Sequence, residues 1–269
     1  MLSTGGSVKV AVCVKRVPDI AEADVRVDST GRDVVRDRFQ FTINEADNYA
    51  LEEALLLKEN HEAEVTLVTV GGAEVAEVLR MGLAKGAARA VRVDSAGLEE
   101  SDAANLARVL AAYFRQEEFD LVLCGAIAQD TEDSQVGPAL AGYLDRPHAS
   151  YVVKLEPSDE AMTVKRELEG GLLEVKELPL PCVVTIQTGG NTPRYASILG
   201  IKRAGSKPVD ELTIEGLGLA AEEYGAAGSK TKLLKLYAPE VTGTAEMIEG
   251  DVPEKAARVA AVLKERGLL

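Results

Sequence analysis

The residues best placed to do chemistry lie together between Phe119 and Pro147, in the run FDLVLCGAIAQDTEDSQVGPALAGYLDRP. Leu121 to Cys124 is a short apolar run, the length of a strand buried on both faces, and Gly125 ends it. A polar loop, Gln129 to Ser134, follows; then Val136, Leu140 and Leu144 recur at helical spacing. A strand that feeds a loop and then a helix leaves the first backbone N–H groups of that helix without partners. Together with the hydroxyl of Ser134 and the amide of Gln135, those groups can hold a phosphate. Asp130, Glu132 and Asp133 share the loop and oppose an anion unless they face away. They could take Mg²⁺ beside a phosphate, but a solvated acidic loop is the simpler expectation. By geometry alone, a strand-to-helix turn is more often only a turn.

The surrounding elements must set this loop at one end of a sheet. Val8 to Val14 reads as a first buried strand, with Lys15-Arg16-Val17-Pro18-Asp19 at its carboxyl end, where ligands gather in open parallel sheets. Residues 24–37 alternate about Ser29-Thr30-Gly31 as a hairpin. Asn44 begins a helix running to about Asn60; its side chain is expected to cap that helix, with Asp47 completing a capping-box-like pattern. Glu64 to Val70 is the next strand, closed by Gly71-Gly72, and helix 73–85 ends at Gly86. A short strand at Ala90–Val93 leads to helix 101–116, for which Ser101 is the expected cap. This alternation of strand and helix requires a mostly parallel, doubly wound α/β sheet with right-handed crossovers.

After residue 148 the pattern changes. Tyr151–Leu155, Met162–Leu168, Leu172–Leu178 and Cys182–Gln187 read as strands of an antiparallel extension, with turns at Pro157-Ser158-Asp159 and Gly170-Gly171. Thr188 to Pro193 is a loop, and Lys202, Arg203 and Lys207 form a basic cluster. Residues 205–250 hold no sustained period and read as an extended arm, although Leu233, Leu234, Leu236 and Tyr237 need a surface to lie against. A last helix starts near Pro253. The expected organisation is residues 1–204 as the α/β domain with its extension, and 205–269 as arm and terminal helix.

Composition excludes several functions. A net charge of -14 repels nucleic acid and anionic membranes, and the absence of Trp with 4% aromatic residues leaves no base-stacking platform. No run approaches the roughly 18 apolar residues of a membrane span, and the amino terminus has no secretory pattern, so a cytoplasmic protein is expected. Cys13, Cys124 and Cys182 each sit in an apolar strand-like run without CxxC or Cys/His spacing, which predicts buried reduced thiols and no metal site. There is no GxGxxG after the first strand, no GxxxxGK[ST] and no GxSxG. His61 reads as a solvated helix exit and His148 as a loop or strand-edge residue, so no catalytic residue is proposed.

Several stretches in order resemble the β subunit of electron transfer flavoproteins. They are VCVKRVPD at 12–19, NEADNYALEEALLLKE at 44–59, LVTVGG at 67–72, LRMGLAKGAARAVRV at 79–93, residues 120–147, and PCVVTIQTGGNTPRYASILGIKRA at 181–204. The resemblance covers residues 8 to about 204; the last sixty residues match mainly in character. It implies an adenine-nucleotide-binding α/β subunit of a heterodimer, with AMP buried in this chain and FAD held mainly by a larger α subunit. Electrons would come from flavin dehydrogenases, such as acyl-CoA dehydrogenases, and pass towards a quinone oxidoreductase. In electron-bifurcating relatives a second FAD, reduced by NADH, takes the place of AMP. The positions lining that cleft correspond here to Cys13, to Asn44, Glu45, Ala46 and Asp47, and to Val70. The remainder is the run Gly125, Ala126, Ile127, Ala128, Gln129, Asp130, Thr131, Glu132, Asp133, Ser134, Gln135 and Val136. The partner-recognition loop of the family matches 193–199, with Tyr195, Ile198 and Leu199 expected to dock a dehydrogenase.

Three departures from the family pattern stand out. Asn44-Glu45 replaces a common Asn-Pro, and Ile20 and Ala46 stand where some relatives carry aromatic residues near the flavin. The loop DTEDSQVGP differs from a DGDTAQVGP-like run of bifurcating relatives, and Thr131 in place of glycine narrows the room for a second flavin. Asp47 and the QVGP segment resemble the bifurcating type, whereas Thr131, Glu132 and Asp133 do not, and AMP is the expected occupant.

Overall fold

The computed structural model describes residues 7–19, 24–158, 161–240, 243 and 245–269. Ile20 and Asp159 lie outside the described residues. The elements begin with β1 (Lys9–Cys13), β2 (Arg16–Asp19), β3 (Gln40–Ile43), α1 (Glu45–His61) and β4 (Glu64–Val70). They continue with α2 (Ala76–Lys85), β5 (Arg89–Val93), α3 (Ala103–Gln116), β6 (Leu121–Gly125) and α4 (Val136–Leu144). Then come β7 (His148–Pro157), β8 (Ala161–Glu167), β9 (Leu173–Pro179), β10 (Cys182–Ile186), α5 (Ile198–Ser206), β11 (Asp210–Leu212), α6 (Gly225–Gly228) and α7 (Val252–Glu265).

The main sheet runs in the order β11-β5-β4-β1-β6-β10-β7-β8-β9. Its pairs are parallel from β11 to β7, and antiparallel from β7 through β9. Alternation along β1 sends neighbouring side chains to opposite faces. Val10 and Val12 join one buried cluster with Leu51 and Leu55 of α1 and Leu79 of α2. Ala11 and Cys13 join the other, with Leu110 and Phe114 of α3 and Leu140 of α4. Helices therefore cover both faces, as the sequence pattern requires.

Cys182–Ile186 departs from its expected place. It is not part of the antiparallel extension but is inserted between β6 and β7, parallel to both. Every residue of this strand is buried, the signature of a parallel strand covered on both faces. The expected arm also begins later than residue 205. Asp210–Leu212 pairs with Val91–Val93 at the sheet edge, and Ile214 and Leu217 enter the core. Residues 24–37 form the expected hairpin only as far as a single bridge between Val27 and Val34.

Two helix starts differ from expectation. Asn44 precedes α1, but its side chain makes no capping bond. Asp102, not Ser101, caps α3, accepting from the Asn105 N–H at 2.9 Å. The last helix keeps its expected start, with Asp251 and Glu254 forming a capping box around Pro253.

Candidate functional site

The chain runs from β1 outward to β4 and β5, then returns to the other side of β1 as β6. Connections leaving β1 and β6 thus diverge, and an open sheet binds ligands at such a reversal, beyond the carboxyl ends of the strands. A cleft of about 1040 Å³ occupies that position. Its floor is Cys13, Val68, Val70 and Cys124; one wall is Gly125 to Ala128 with Asp130, Thr131 and Asp133 to Gly137.

Asp47 ties the two strand ends together. Its Oδ2 accepts from the Lys15 N–H at 2.7 Å, and its Oδ1 from the Gly125 N–H at 2.9 Å. Burial pushes its carboxyl up to about 6, against the pull of these hydrogen bonds. Gly125 is required there: a Cβ would lie 2.3 Å from Asp47 Oδ1 and 2.7 Å from the Asp47 nitrogen.

Asn44 fastens the loop that follows β6. Its Nδ2 donates to the Ile127 carbonyl at 2.8 Å, and its Oδ1 accepts from the Gln129 N–H at 3.0 Å. This use of the amide explains why it does not cap α1. Gln129, which does not itself line the cleft, in turn donates to the carbonyl of Pro18, which does, at 3.3 Å. Asp130 pairs with Lys15 Nζ at 2.6 Å, so one acidic group of the loop is neutralised beside the cleft. Glu132 is exposed and does not line the cleft; Asp133 does.

The backbone then turns sharply into α4. Ser134 adopts a left-handed conformation (φ 52°) and Gln135 a right-handed one (φ -105°, ψ -24°). That succession aims consecutive N–H groups into one concavity that favours an anion. Among the described residues, the N–H groups of Ser134, Gln135 and Val136 have no hydrogen-bond partner in the chain. Gly137 lets α4 press on β10, since a Cβ there would meet Thr185 Cγ2 at 2.2 Å. Tyr151 reaches Ser134 Oγ at 3.4 Å.

Of the expected binding residues, then, the structure gathers Cys13, Asp47, Val70, Gly125 to Ala128, Asp130, Thr131 and Asp133 to Val136 around one cleft. Asn44 and Gln129 stand behind the wall and hold it, Ala46 is buried behind Asp47, and Glu45 is exposed. The Cys13 thiol is held well above its ordinary value by its contact with Cys124 and by burial, so the floor is neutral and apolar. Lys15 and the far wall of the cleft were missed from sequence. That wall is Thr30 and Arg32 of the hairpin, Asp102, and Thr231, Lys232 and Leu236 of the arm. The position of Lys15 after a buried strand signals it; the alternation about Ser29-Thr30-Gly31 marks the hairpin but not its approach to the cleft, and only the arm has no sustained period.

Tyr195, Ile198 and Leu199 lie elsewhere, on the loop before α5 and its first turn, with 97%, 90% and 55% of their surface exposed. His148 is half-buried at the start of β7, bonded to the Val183 carbonyl and Ser150, and burial lowers its pKa. No helix among the described residues is long and apolar enough to cross a membrane.

Fold and cleft together define an open-sheet α/β protein with a switch-point site suited to a nucleotide. Residues 33–216 match the electron transfer flavoprotein domain. Over 96% of its length the chain is 41% identical to the electron transfer flavoprotein subunit beta of Methylophilus methylotrophus, covering 98% of that protein. The corresponding subunit of Bacillus subtilis is 37% identical over 94% of this chain and 96% of its own. A caffeyl-CoA reductase–Etf complex subunit, CarD, of Acetobacterium woodii is 34% identical over 97% of this chain and 100% of its own. The chain belongs to the electron transfer flavoprotein family, as a β subunit.

Proposed function

We propose that this chain is the nucleotide-holding half of a heterodimeric electron carrier, with AMP in the switch-point cleft and FAD held mainly by an α subunit. The observation that carries the nucleotide assignment is the concavity of free N–H groups at Ser134, Gln135 and Val136, set against a neutral, apolar floor, and Thr131 in the cleft wall favours AMP over a second flavin. A phosphate would meet those N–H groups, each contact contributing about 1 kcal/mol. Cys13, Val70 and the wall at Gly125–Ile127 would enclose the adenosine, with Asn44 and Asp47 holding that wall from behind. AMP supplies no redox chemistry; its part is to fill the cleft and fix the loops that face the partner. The flavin supplies the one- and two-electron chemistry, and this chain covers one side of it. Electrons would enter from flavin dehydrogenases such as acyl-CoA dehydrogenases and leave towards a quinone oxidoreductase. Tyr195, Ile198 and Leu199 form the dehydrogenase docking point, and the C-terminal arm with its terminal helix packs on the α subunit.

A second reading has its own support. The cleft continues past the phosphate position to Arg32, Thr231, Lys232 and Leu236, leaving room beyond a mononucleotide. The A. woodii relative is named as part of a reductase–Etf complex. Under this reading a second FAD fills the cleft and takes hydride from NADH. Nucleotide content separates the two: the chain is co-expressed with its α subunit, denatured, and the released nucleotides are quantified. One FAD and one AMP per heterodimer support the carrier; two FAD and no AMP support bifurcation.

A further inference from the structure

The segment between β10 and α5, residues 187–197, has no helix or strand and leads into an exposed apolar tip formed by Tyr195 with Ile198 and Leu199 of the first turn of α5. Apolar side chains at such exposure add almost nothing to a core, so another interaction must hold them in one place. The other end of the tip is already mounted on α2. A Cβ on Gly200 would lie 2.2 Å from the Ala84 carbonyl, and Arg80 donates to the Ala204 carbonyl at 2.6 Å. The loop itself is mounted on α1. Glu52 accepts from the Arg194 backbone N–H at 3.0 Å, from its Nε at 2.9 Å and from a terminal guanidinium nitrogen at 2.8 Å. Glu59, two turns on along the same helix face, takes the remaining edge of the guanidinium. Three residues earlier, Asn191 donates to the Tyr49 carbonyl and to Glu53.

Only 7% of the Glu52 side chain is exposed, while Arg194 keeps 30%. A carboxylate buried to that degree is costly unless a planar, multidentate partner answers it, and a guanidinium spans two carboxylates where an ammonium cannot. The charge is spent on a surface loop whose own residues bury little. Arg194 immediately precedes Tyr195 and stands four residues before Ile198.

From this arrangement we infer that Arg194, clamped between Glu52 and Glu59, is a positioning residue that presents Ile198 to the dehydrogenase. It is not among the residues that line the cleft. The same helix carries Asp47 in its first turn, so α1 is the common mount of the nucleotide wall and the docking tip. The inference rests on the docking role proposed above for Ile198.

The test uses the complete heterodimer and a flavin dehydrogenase that reduces the wild type. KM and kcat are measured for Arg194→Ala, Arg194→Lys, Ile198→Ala and the Arg194→Ala/Ile198→Ala pair, with hydrogen exchange of residues 188–199. Arg194→Ala should raise KM about tenfold, within the usual range for coupled sites, with kcat and nucleotide content unchanged. The loop amides should exchange faster, Arg194→Lys should recover only part of the loss, and the double variant should be no worse than Ile198→Ala. A raised KM for Ile198→Ala beside a wild-type KM for Arg194→Ala overturns the clamp while leaving docking intact. Loss of nucleotide or of the α subunit in Arg194→Ala also overturns it, since the residue then serves the fold. A silent Ile198→Ala removes the docking reading, and the clamp with it.

Discussion

Gly125 and Asp47 approach so closely that one side-chain atom would separate them: the Gly125 N–H donates to Asp47 Oδ1 at 2.9 Å, and a Cβ would stand 2.3 Å from that oxygen. The glycine ends β6 and the aspartate opens α1, so this contact joins the strand that forms the cleft floor to the helix behind its wall. Because a Cβ would also meet the Asp47 nitrogen and the Ala46 carbonyl carbon, rotating a side chain cannot relieve it. Gly125→Ala should cost about 3 kcal/mol, the upper end for overpacking. Urea unfolding reads that loss, and nucleotide recovered from the purified heterodimer should fall with it; wild-type stability would refute the steric account.

The buried Asp47 carboxyl gives stability a specific pH dependence. Its native pKa, about 6, lies above the ordinary 3.8, so between those values the folded state holds a proton that the unfolded state has released. The contribution is therefore fully present below 3.8 and is lost as pH rises through about 6. Asp47→Asn cannot titrate, and it offers one acceptor to two N–H donors, leaving one unmatched at a cost of about 1–3 kcal/mol. Subtracting variant from wild-type stability across pH 4 to 8 should give a difference that declines towards pH 6 and then levels. A difference that is flat or rises over that interval contradicts the assignment.

Asn44 supports the cleft wall through bonds to Ile127 and Gln129, 83 and 85 residues away in sequence. Asn44→Ala leaves α1 with the same absence of a side-chain cap, so the helix itself loses nothing by capping. The loop loses two hydrogen bonds, worth about 1 kcal/mol each. The expected outcome is faster nucleotide release from the heterodimer with the helical circular-dichroism signal retained; unchanged release would show that the wall stands without Asn44.

Much of this was readable from local pattern. The buried run at Leu121–Cys124, the glycine stop and the helical spacing after Ser134 place the cleft wall, because strand and helix periods are properties of adjacent residues. Cys182–Ile186 was recognisable as a strand but not as a central one: both neighbours, β6 and β7, are set by long-range pairing. Asn44 shows the same limit at a single side chain. Its type predicts a cap, yet its partners lie on a loop that folding alone brings near. The far wall of the cleft joins a hairpin, whose alternation is legible, to an arm that has no sustained period, and its position depends on a few hydrogen bonds to distant side chains.

Asp102 is the chief of those side chains, and it does two things that a substitution can separate. One carboxylate oxygen caps α3 by accepting from the Asn105 N–H at 2.9 Å. The other accepts from the N–H groups of Lys230 at 2.6 Å and Thr231 at 2.9 Å, fixing the arm where Thr231, Lys232 and Leu236 line the cleft. Asp102→Ala should lose both functions, with about 1 kcal/mol of stability lost from the missing cap. Asp102→Ser keeps a capping oxygen but offers nothing to the arm, so it should unfold near the wild-type midpoint. Both variants should be cut faster by protease between residues 229 and 240, because the arm is fastened there by few other contacts. If Asp102→Ser is cleaved at the wild-type rate, the arm is held by other bonds, and Ser229, which accepts from the Asp102 N–H at 3.0 Å and donates to the Glu100 carbonyl, becomes the residue to change next.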